Sequence, residues 1–305
     1  MLRNGEGGNP MKTVALLLED EDNLYQQLLS REAKLAAERL GIAVLEPEFA
    51  ESSSWSQIES VNAHLRRDPP PDALMIVLAG EQYTRPTFER VAGRGVALAF
   101  LNRIPDWAPE LRAQHPRALA VGVTPRQVGI GELQGCQALA LARPGASVLL
   151  VTGSAGSVTA VERTRGFRET VKDRLAVHAI DGRWSGARAR RSLGEWFRFG
   201  PADESLGLVV CQNDAMAGGV RAGLAEQATA SGREELRNLP VIGCDGLEDE
   251  GQAMVARGEL TATVVLPPTT PAALEALEAW WEKGERLETA FVEATSFPAL
   301  EKLKA

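Results

Sequence analysis

Six segments of this 305-residue chain end an apolar run with side chains that grip polar groups. Glu19 to Asn23 follow "TVALLL", Asn102 and Arg103 close "VALAFLNR", and Gly153 to Ser157 follow "SVLLVT". Asp181 to Trp184 follow "LAVHAI", Asn213 and Asp214 close "LGLVVCQND", and Asp245 stands in "PVIGCDG". Amides, carboxylates and a guanidinium make directed contacts to hydroxyl groups, while the Trp184 ring offers a face to apolar C–H surfaces. Together these are the means of holding a small polyhydroxylated molecule. Asn and Asp at strand ends also act as turn residues and helix caps. Asp214, followed at once by helix-like sequence, reads first as such a cap. The recurrence of the pattern across several loops favours a binding cleft.

Catalytic chemistry finds little support. "TGSAGSVTA" is Gly-rich and lies between a strand and a helix, as phosphate loops do, but lacks the Gly-Lys-Ser/Thr of nucleotide hydrolases. "GIGELQG" misses the dinucleotide fingerprint by one residue and lies within helix-like sequence, so Gly129, Gly131 and Gly135 read as helix-packing positions. His64, His115 and His178 have no partner at metal-ligand spacing, and there is no G-x-S-x-G nucleophile turn. No catalytic residue, metal site or cofactor is expected. Cys136, Cys211 and Cys244 show neither disulfide-framework nor zinc spacing and are expected to be small buried apolar residues. The Arg188, Arg190, Arg191 run reads as a solvated helix face, and Trp280 with Trp281 as packing residues of an outer helix.

A formal net charge of -8 disfavours a nucleic-acid surface. Hydrophobic content of 44% with 24% charged residues is that of a soluble globular protein. No stretch reaches the roughly 18 apolar residues of a membrane span, so membrane insertion is not expected. "MLRNGEGGNP" lacks the apolar run of a secretory signal. As it stands the chain reads as cytoplasmic, or as periplasmic if a leader has been removed.

Short apolar runs alternate with longer helix-period stretches along the whole chain. "NLYQQLLSREAKLAAERLG" after the first run spaces Leu24, Leu28, Leu35 and Leu40 at roughly helical intervals and ends in a Gly suited to a helix terminus. The alternation continues to "TATVVLPP". Continuous apolar strands between helices indicate parallel sheets covered on both faces. There are two such series, each of domain size, with "VGVTPRQ" the best boundary. In open parallel sheets ligands bind beyond the carboxyl ends of the strands, where the polar residues named above lie.

Taken in order, "TGSAGSVTAVERTRGFRETV", "VVCQNDAMAGGVRAGL", "PVIGCDGLEDEGQAMVARGELTATV" and "VLPPTTPAALEAL" resemble the C-terminal half of the type I periplasmic-binding-protein superfamily. "VALLLEDEDNLYQQLLSREAKLAAERLGI" is similar to that family's opening strand, ligand loop and helix, so the resemblance spans about residues 12 to 298. Its nearest branches are the ribose-type sugar-binding proteins and the effector domains of LacI-like repressors. No helix-turn-helix precedes residue 12, so a complete repressor is not expected. The resemblance implies an α/β fold of two Rossmann-like lobes joined by a three-strand hinge. The N-terminal lobe is expected at 12–123 with 267–290, the C-terminal lobe at 124–266 with 291–305, and a flexible segment at 1–11.

By the same resemblance Asn23 and Tyr25 fall on the first ligand loop, Asn102 and Arg103 on the pair that grips sugar hydroxyls, and Trp184 on the stacking aromatic. Asn213 and Asp245 fall on the amide and carboxylate supplied by the far lobe, with Asn213 facing the ligand and Asp214 starting the helix. The chain departs from the pattern at several positions. Asn102 replaces an Asp, Val161 a ligand-binding Arg, Leu266 a Gln, Gln26 a second ring, and Thr124-Pro125 an Asp-Asn pair. Weakening three such contacts, at about 1.5–3 kcal/mol for each hydrogen bond to a charged group, points to a ligand less hydroxylated than ribose, or not a sugar. The expected function is non-enzymatic binding of a sugar-like molecule by lobe closure, with an ABC permease or a cytosolic sensor or regulator as partner. The alternatives are an enzyme acting on a nucleotide or sugar phosphate, with "TGSAGS" as its cradle, and a lobe pair serving only as an interaction module.

Overall fold

The alternation of apolar runs and amphipathic stretches is realised as strands and helices in a computed structural model, which describes residues 11–80, 83–200 and 205–304. The expected flexible segment 1–11 lies outside these residues except for Met11. In chain order the first part holds β1 (Thr13–Leu18), α1 (Leu24–Leu40), β2 (Ala43–Val44), β3 (Glu48–Phe49), α2 (Ser54–Leu65), β4 (Ala73–Ile76), α3 (Arg85–Gly93), β5 (Ala97–Leu101), α4 (Ala108–Gln114) and β6 (Ala120–Pro125). Next come α5 (Gln127–Leu141), β7 (Ser147–Thr152), α6 (Val158–Val171), β8 (Ala176–Asp181), α7 (Gly186–Phe199), β9 (Leu206–Cys211), α8 (Asp214–Ser231), β10 (Val241–Ile242), α9 (Ala253–Ala256) and β11 (Thr263–Val265). The chain ends through α10 (Thr270–Lys283), β12 (Thr289–Val292) and β13 (Thr295–Phe297).

The chain forms two units and passes between them three times. One runs to Thr124 and takes in Pro268–Val292; the other comprises Pro125–Pro267 and the residues from Glu293 onward. The first unit's sheet has the order β12-β6-β5-β4-β1-β2, with β3 also pairing β1. All the pairings of β1 to β6 are parallel. The second unit's sheet runs β10-β9-β7-β8, all parallel, and is extended by the bridges Ile242 to Ala262 and Asp245 to Val265 toward the antiparallel β11-β13 pair. Each sheet winds in one direction from its first strand and then in the other. The reversal opens a crevice between β1 and β4 in one unit and between β7 and β9 in the other, where ligands of doubly wound sheets bind.

Strands β1, β4 and β5 are apolar and buried except for Thr13 at the start of β1, as two-sided coverage requires. On one face of the first sheet Leu74, Ile76, Leu98 and Phe100 pack with Phe88 and Val91 of α3 and Leu111 of α4. Full burial of each such side chain contributes roughly 1.5–3 kcal/mol. In the second unit, α5 and α6 approach so closely that a Cβ at Gly131 would overlap the Arg163 carbonyl and one at Gly166 the Val128 carbonyl. Gly131 and Gly135, the latter against Thr170, thus serve helix packing as expected, whereas Gly129 faces no part of α6. Helix α4, absent from the sequence reading, has only seven residues, too few to show a period, and starts with a Pro in its first turn.

Cys211 and Cys244 are buried as expected, whereas Cys136 is exposed, a correction that follows from its place on the outward face of α5. Arg188, Arg190 and Arg191 are exposed on α7. His64 is buried with its Nε2 2.8 Å from Glu48 Oε1, a structural pairing.

Candidate functional site

In the first unit, the loop after β1 is shaped by the start of α1. Asn23 is the N-cap, its Oδ1 accepting from the Gln26 amide at 3.2 Å. Gln26 is buried and turned back into the loop, where its Oε1 accepts from the amides of Glu19 at 2.7 Å and Asp20 at 3.3 Å. Tyr25 is buried beside it at 8% exposure. An amide at position 26 therefore holds the loop by hydrogen bonds. Burial pushes the Glu19 carboxyl above its ordinary value against the opposing pull of Arg103, and Asp20 adds to the rise. Glu19 and Arg103 are thus electrostatic neighbours at the carboxyl ends of β1 and β5.

Asn102 follows β5 in the left-handed region, φ 63°, which Asn tolerates better than most side chains. Its Oδ1 accepts from Thr269 Oγ1 at 3.0 Å, and its carbonyl from Thr124 Oγ1 at 2.7 Å. Two departures from the sugar-binder pattern, Asn102 and Thr124, are therefore bonded to each other. Arg103 donates from Nη2 to the Leu78 carbonyl at 3.1 Å, tying the β5 loop to the β4 loop.

In the second unit the crevice between β7 and β9 is bridged by Gln212. Its Oε1 accepts from the Gly153 amide at 2.8 Å, and its Nε2 donates to the Ala160 carbonyl at 3.1 Å and to Thr164 Oγ1 at 2.9 Å. The Trp184 ring lies against Gly153, where a Cβ would overlap the indole. The Arg163 guanidinium sits over the same ring, 5.7 Å from its centroid.

Asn213 is the N-cap of α8. Its Oδ1 accepts from the Met216 amide at 2.9 Å, and its Nδ2 donates to the Trp184 carbonyl at 3.2 Å. This corrects the assignment of the cap to Asp214, which is the first helical residue and fully buried. Asp214 instead accepts from the Gly246 amide and Thr263 Oγ1, each at 2.7 Å. Burial raises its carboxyl to about 7 despite those donors. Asp245, at φ 109°, is held beside this anchor. Its carboxyl is pushed well up by burial and by the charges of Asp214 and Glu250, while Arg163 pulls it down.

Trp184 and Asp245 therefore share Arg163 as a neighbour, and Asn213 follows the Gln212 whose carbonyl Arg163 holds; Arg163 is a residue the sequence reading passed over. Arg163 is 5% exposed, donating from Nε to Gln127 Oε1 at 2.9 Å and from Nη1 to the Gln212 carbonyl at 2.6 Å. Its signal was present, since Ala160, Arg163, Phe167 and Val171 recur at three or four residues on the buried face of α6. Val161, by contrast, is 60% exposed and Leu266 is buried, so neither supplies a polar group. Among the described residues no group of His, Cys, Asp and Glu side chains is placed to hold a metal ion. Eight described non-glycine residues have positive φ, and seven of them, including Asn102, Trp184 and Asp245, lie in loops after strand carboxyl ends. Backbone strain concentrated in that way is characteristic of ligand clamps.

The model of the periplasmic binding protein domain matches residues 14–279. The chain belongs to this family. No curated protein matches it by sequence. Periplasmic binding proteins of known structure share its fold at low identity. An ABC transporter solute-binding protein from Actinobacillus succinogenes with bound D-allose matches with a TM-score of 0.80 at 19% identity, over 93% of this chain and 96% of that one. A Caulobacter myo-inositol-binding protein bound to myo-inositol matches with a TM-score of 0.76 at 19% identity, over 93% and 92%. The fructose-binding periplasmic domain of a hybrid two-component system matches with a TM-score of 0.74 at 19% identity, over 93% and 90%. Among the described residues of this periplasmic binding protein, no helix is long and apolar enough to cross a membrane.

Proposed function

We propose that this periplasmic binding protein is a non-enzymatic receptor for a sugar or sugar-like polyol, using strand-end groups of both units and closing on its ligand. The observation that carries the reading is the cluster in the second unit. There an indole face, a guanidinium over it and the carboxyl that this guanidinium influences lie beyond the carboxyl ends of β7, β8 and β10. Asn23, Tyr25, Asn102 and Arg103 supply the first unit's share, and Trp184, Asn213 and Asp245 the second's. An aromatic face covers the C–H side of a pyranose or furanose while a carboxylate accepts from its hydroxyls.

Structures of like fold hold D-allose and myo-inositol, and a third is a fructose-binding domain, which supports a polyol ligand. Val161 and Leu266 narrow the choice to compounds with fewer polar contacts on that side than ribose makes. Delivery to an ABC permease and signalling through a sensor are both compatible with such a receptor, and a periplasmic location follows if the chain is exported. A thermal-shift screen against monosaccharides, polyols, sugar acids, nucleosides and sugar phosphates tests the proposal. Stabilisation by neutral sugars supports it; a response confined to phosphates would move the assignment to an enzyme, and silence throughout to an interaction module.

A further inference from the structure

The segment "ESSSWSQ", after β3, places Trp55 among serines at the first turn of α2, where it is 65% exposed. Tyr83, in the loop after β4, is 69% exposed. Their rings stack, with centroids 5.6 Å apart and planes at 19°. Leaving two large rings in water is unfavourable unless something covers them.

The pair is held in place from below. Gln57 is buried, donating from Nε2 to the Val77 carbonyl at 2.8 Å and accepting at Oε1 from the Ala79 amide at 3.0 Å, which fastens α2 to the β4 loop. Ser53 caps α2 through the Ser56 amide at 3.2 Å, and a Cβ at Gly80 would overlap the Ser54 hydroxyl. Glu51, Ser52 and Tyr83 all have positive φ. The same β4 loop receives the Arg103 guanidinium at Leu78. The β4 loop is therefore tied both to α2, which carries Trp55, through Gln57 at Val77 and Ala79, and to Arg103 of the candidate site, at Leu78.

Charge and extent select the occupant. A protein interface needs about 1,200 Å² or more of total buried surface with an apolar centre, but among the described residues no other large exposed hydrophobic side chain lies in either loop. The exposed residues of the turn that precedes Trp55, Glu51 and Ser52, are polar. A small stacked aromatic face, on a helix start whose preceding turn is polar, suits one sugar ring, which has an apolar C–H face and a polar circumference.

We propose that Trp55 and Tyr83 form an outer subsite for a second sugar ring, so that the ligand is a disaccharide or glycoside whose first ring is held at Arg103. This inference rests on the sugar-binding reading. The test is calorimetric titration of the full chain and its Trp55→Ala and Tyr83→Ala variants. The probes are maltose, cellobiose, lactose, melibiose, sucrose and trehalose, together with their component monosaccharides. The proposal predicts that at least one disaccharide binds tenfold or more tightly than its component sugars. It further predicts that Trp55→Ala weakens that disaccharide at least tenfold while changing monosaccharide affinity less than twofold. Both side chains are exposed, so the variants are expected to melt with the parent. Monosaccharides binding as tightly as every disaccharide, or disaccharide affinity indifferent to both substitutions, overturns the outer subsite and leaves the sugar receptor standing. Absence of binding by any sugar overturns both.

Discussion

The Asp214 carboxylate accepts a hydrogen bond from the Gly246 amide at 2.7 Å, one residue beyond Asp245. A helix-starting carboxylate thereby holds the turn that presents a ligand-site carboxylate. The fit is close, since a Cβ at Gly243 or Gly251 would overlap the Asp214 side chain. The sequence placed an amide and a carboxylate together at this strand end, and the structure divides their tasks. Asn213 caps the helix and holds Trp184, and Asp214 fixes the Asp245 turn.

Burial raises the Asp214 carboxyl from 3.8 to about 7, so the native chain keeps this proton to higher pH than the unfolded chain. Its contribution to stability is complete below about pH 4 and is lost as pH rises through about 7, on the order of 4 kcal/mol in all. Asp214→Asn can still accept from Gly246 and can donate to Thr263. Melting temperature followed from pH 4 to 8 is expected to fall less with pH in the variant than in the parent. Parallel profiles would show that Asp214 does not titrate in this range.

Arg163 supplies charge to the interior and three hydrogen bonds to neighbouring acceptors, Gln127, the Gln212 carbonyl and the Cys244 sulfur. Arg163→Met should cost about 3 kcal/mol or more in denaturant unfolding, the scale for stripping one partner from a buried charged network. Because Arg163 also holds the Asp245 carboxyl down, the pH below which sugar affinity is lost should move upward in any folded fraction. An unchanged midpoint in denaturant would contradict the role.

Gly153 is the floor under Trp184. Gly153→Ala is expected to displace the indole and weaken sugar binding at least tenfold, read by calorimetry, because the added methyl has no room. Equal affinity would mean that the ring does not touch ligand.

Asn102→Asp keeps the acceptor for Thr269 and restores a negative charge beside Arg103. The variant should melt within a few degrees of the parent and bind neutral sugars more tightly. Weaker binding would show that the amide itself is the preferred contact.

The alternating architecture was legible because β1, β4 and β5 are continuous apolar runs and α1 carries both of its end signals, Asn23 and Gly41. Short elements were not. The two-residue β3 and the seven-residue α4 are too brief for a period to show. Trp184, Asn213 and Asp245 could be placed at strand ends from their order in the chain, but Arg163 reads as one more charged helix residue unless its three- and four-residue spacing from Ala160, Phe167 and Val171 is followed. Gln26 and Gln212 were equally silent, since an amide that bonds loop backbone has no sequence signature apart from its position. The Trp55 and Tyr83 pair joins residues 28 positions apart on separate loops, which periodicity cannot relate.

Sugar binding by the Trp184 and Asp245 cluster is the point on which the proposed function turns. Calorimetric titration of the parent chain and Asp245→Ala with the neutral sugar that stabilises the chain most tests it most directly. The account predicts saturable one-to-one binding by the parent and at least a tenfold loss in the variant, with a ligand-free melting temperature no lower than the parent's. A sugar that binds both chains equally, or no sugar that binds the parent, would contradict it.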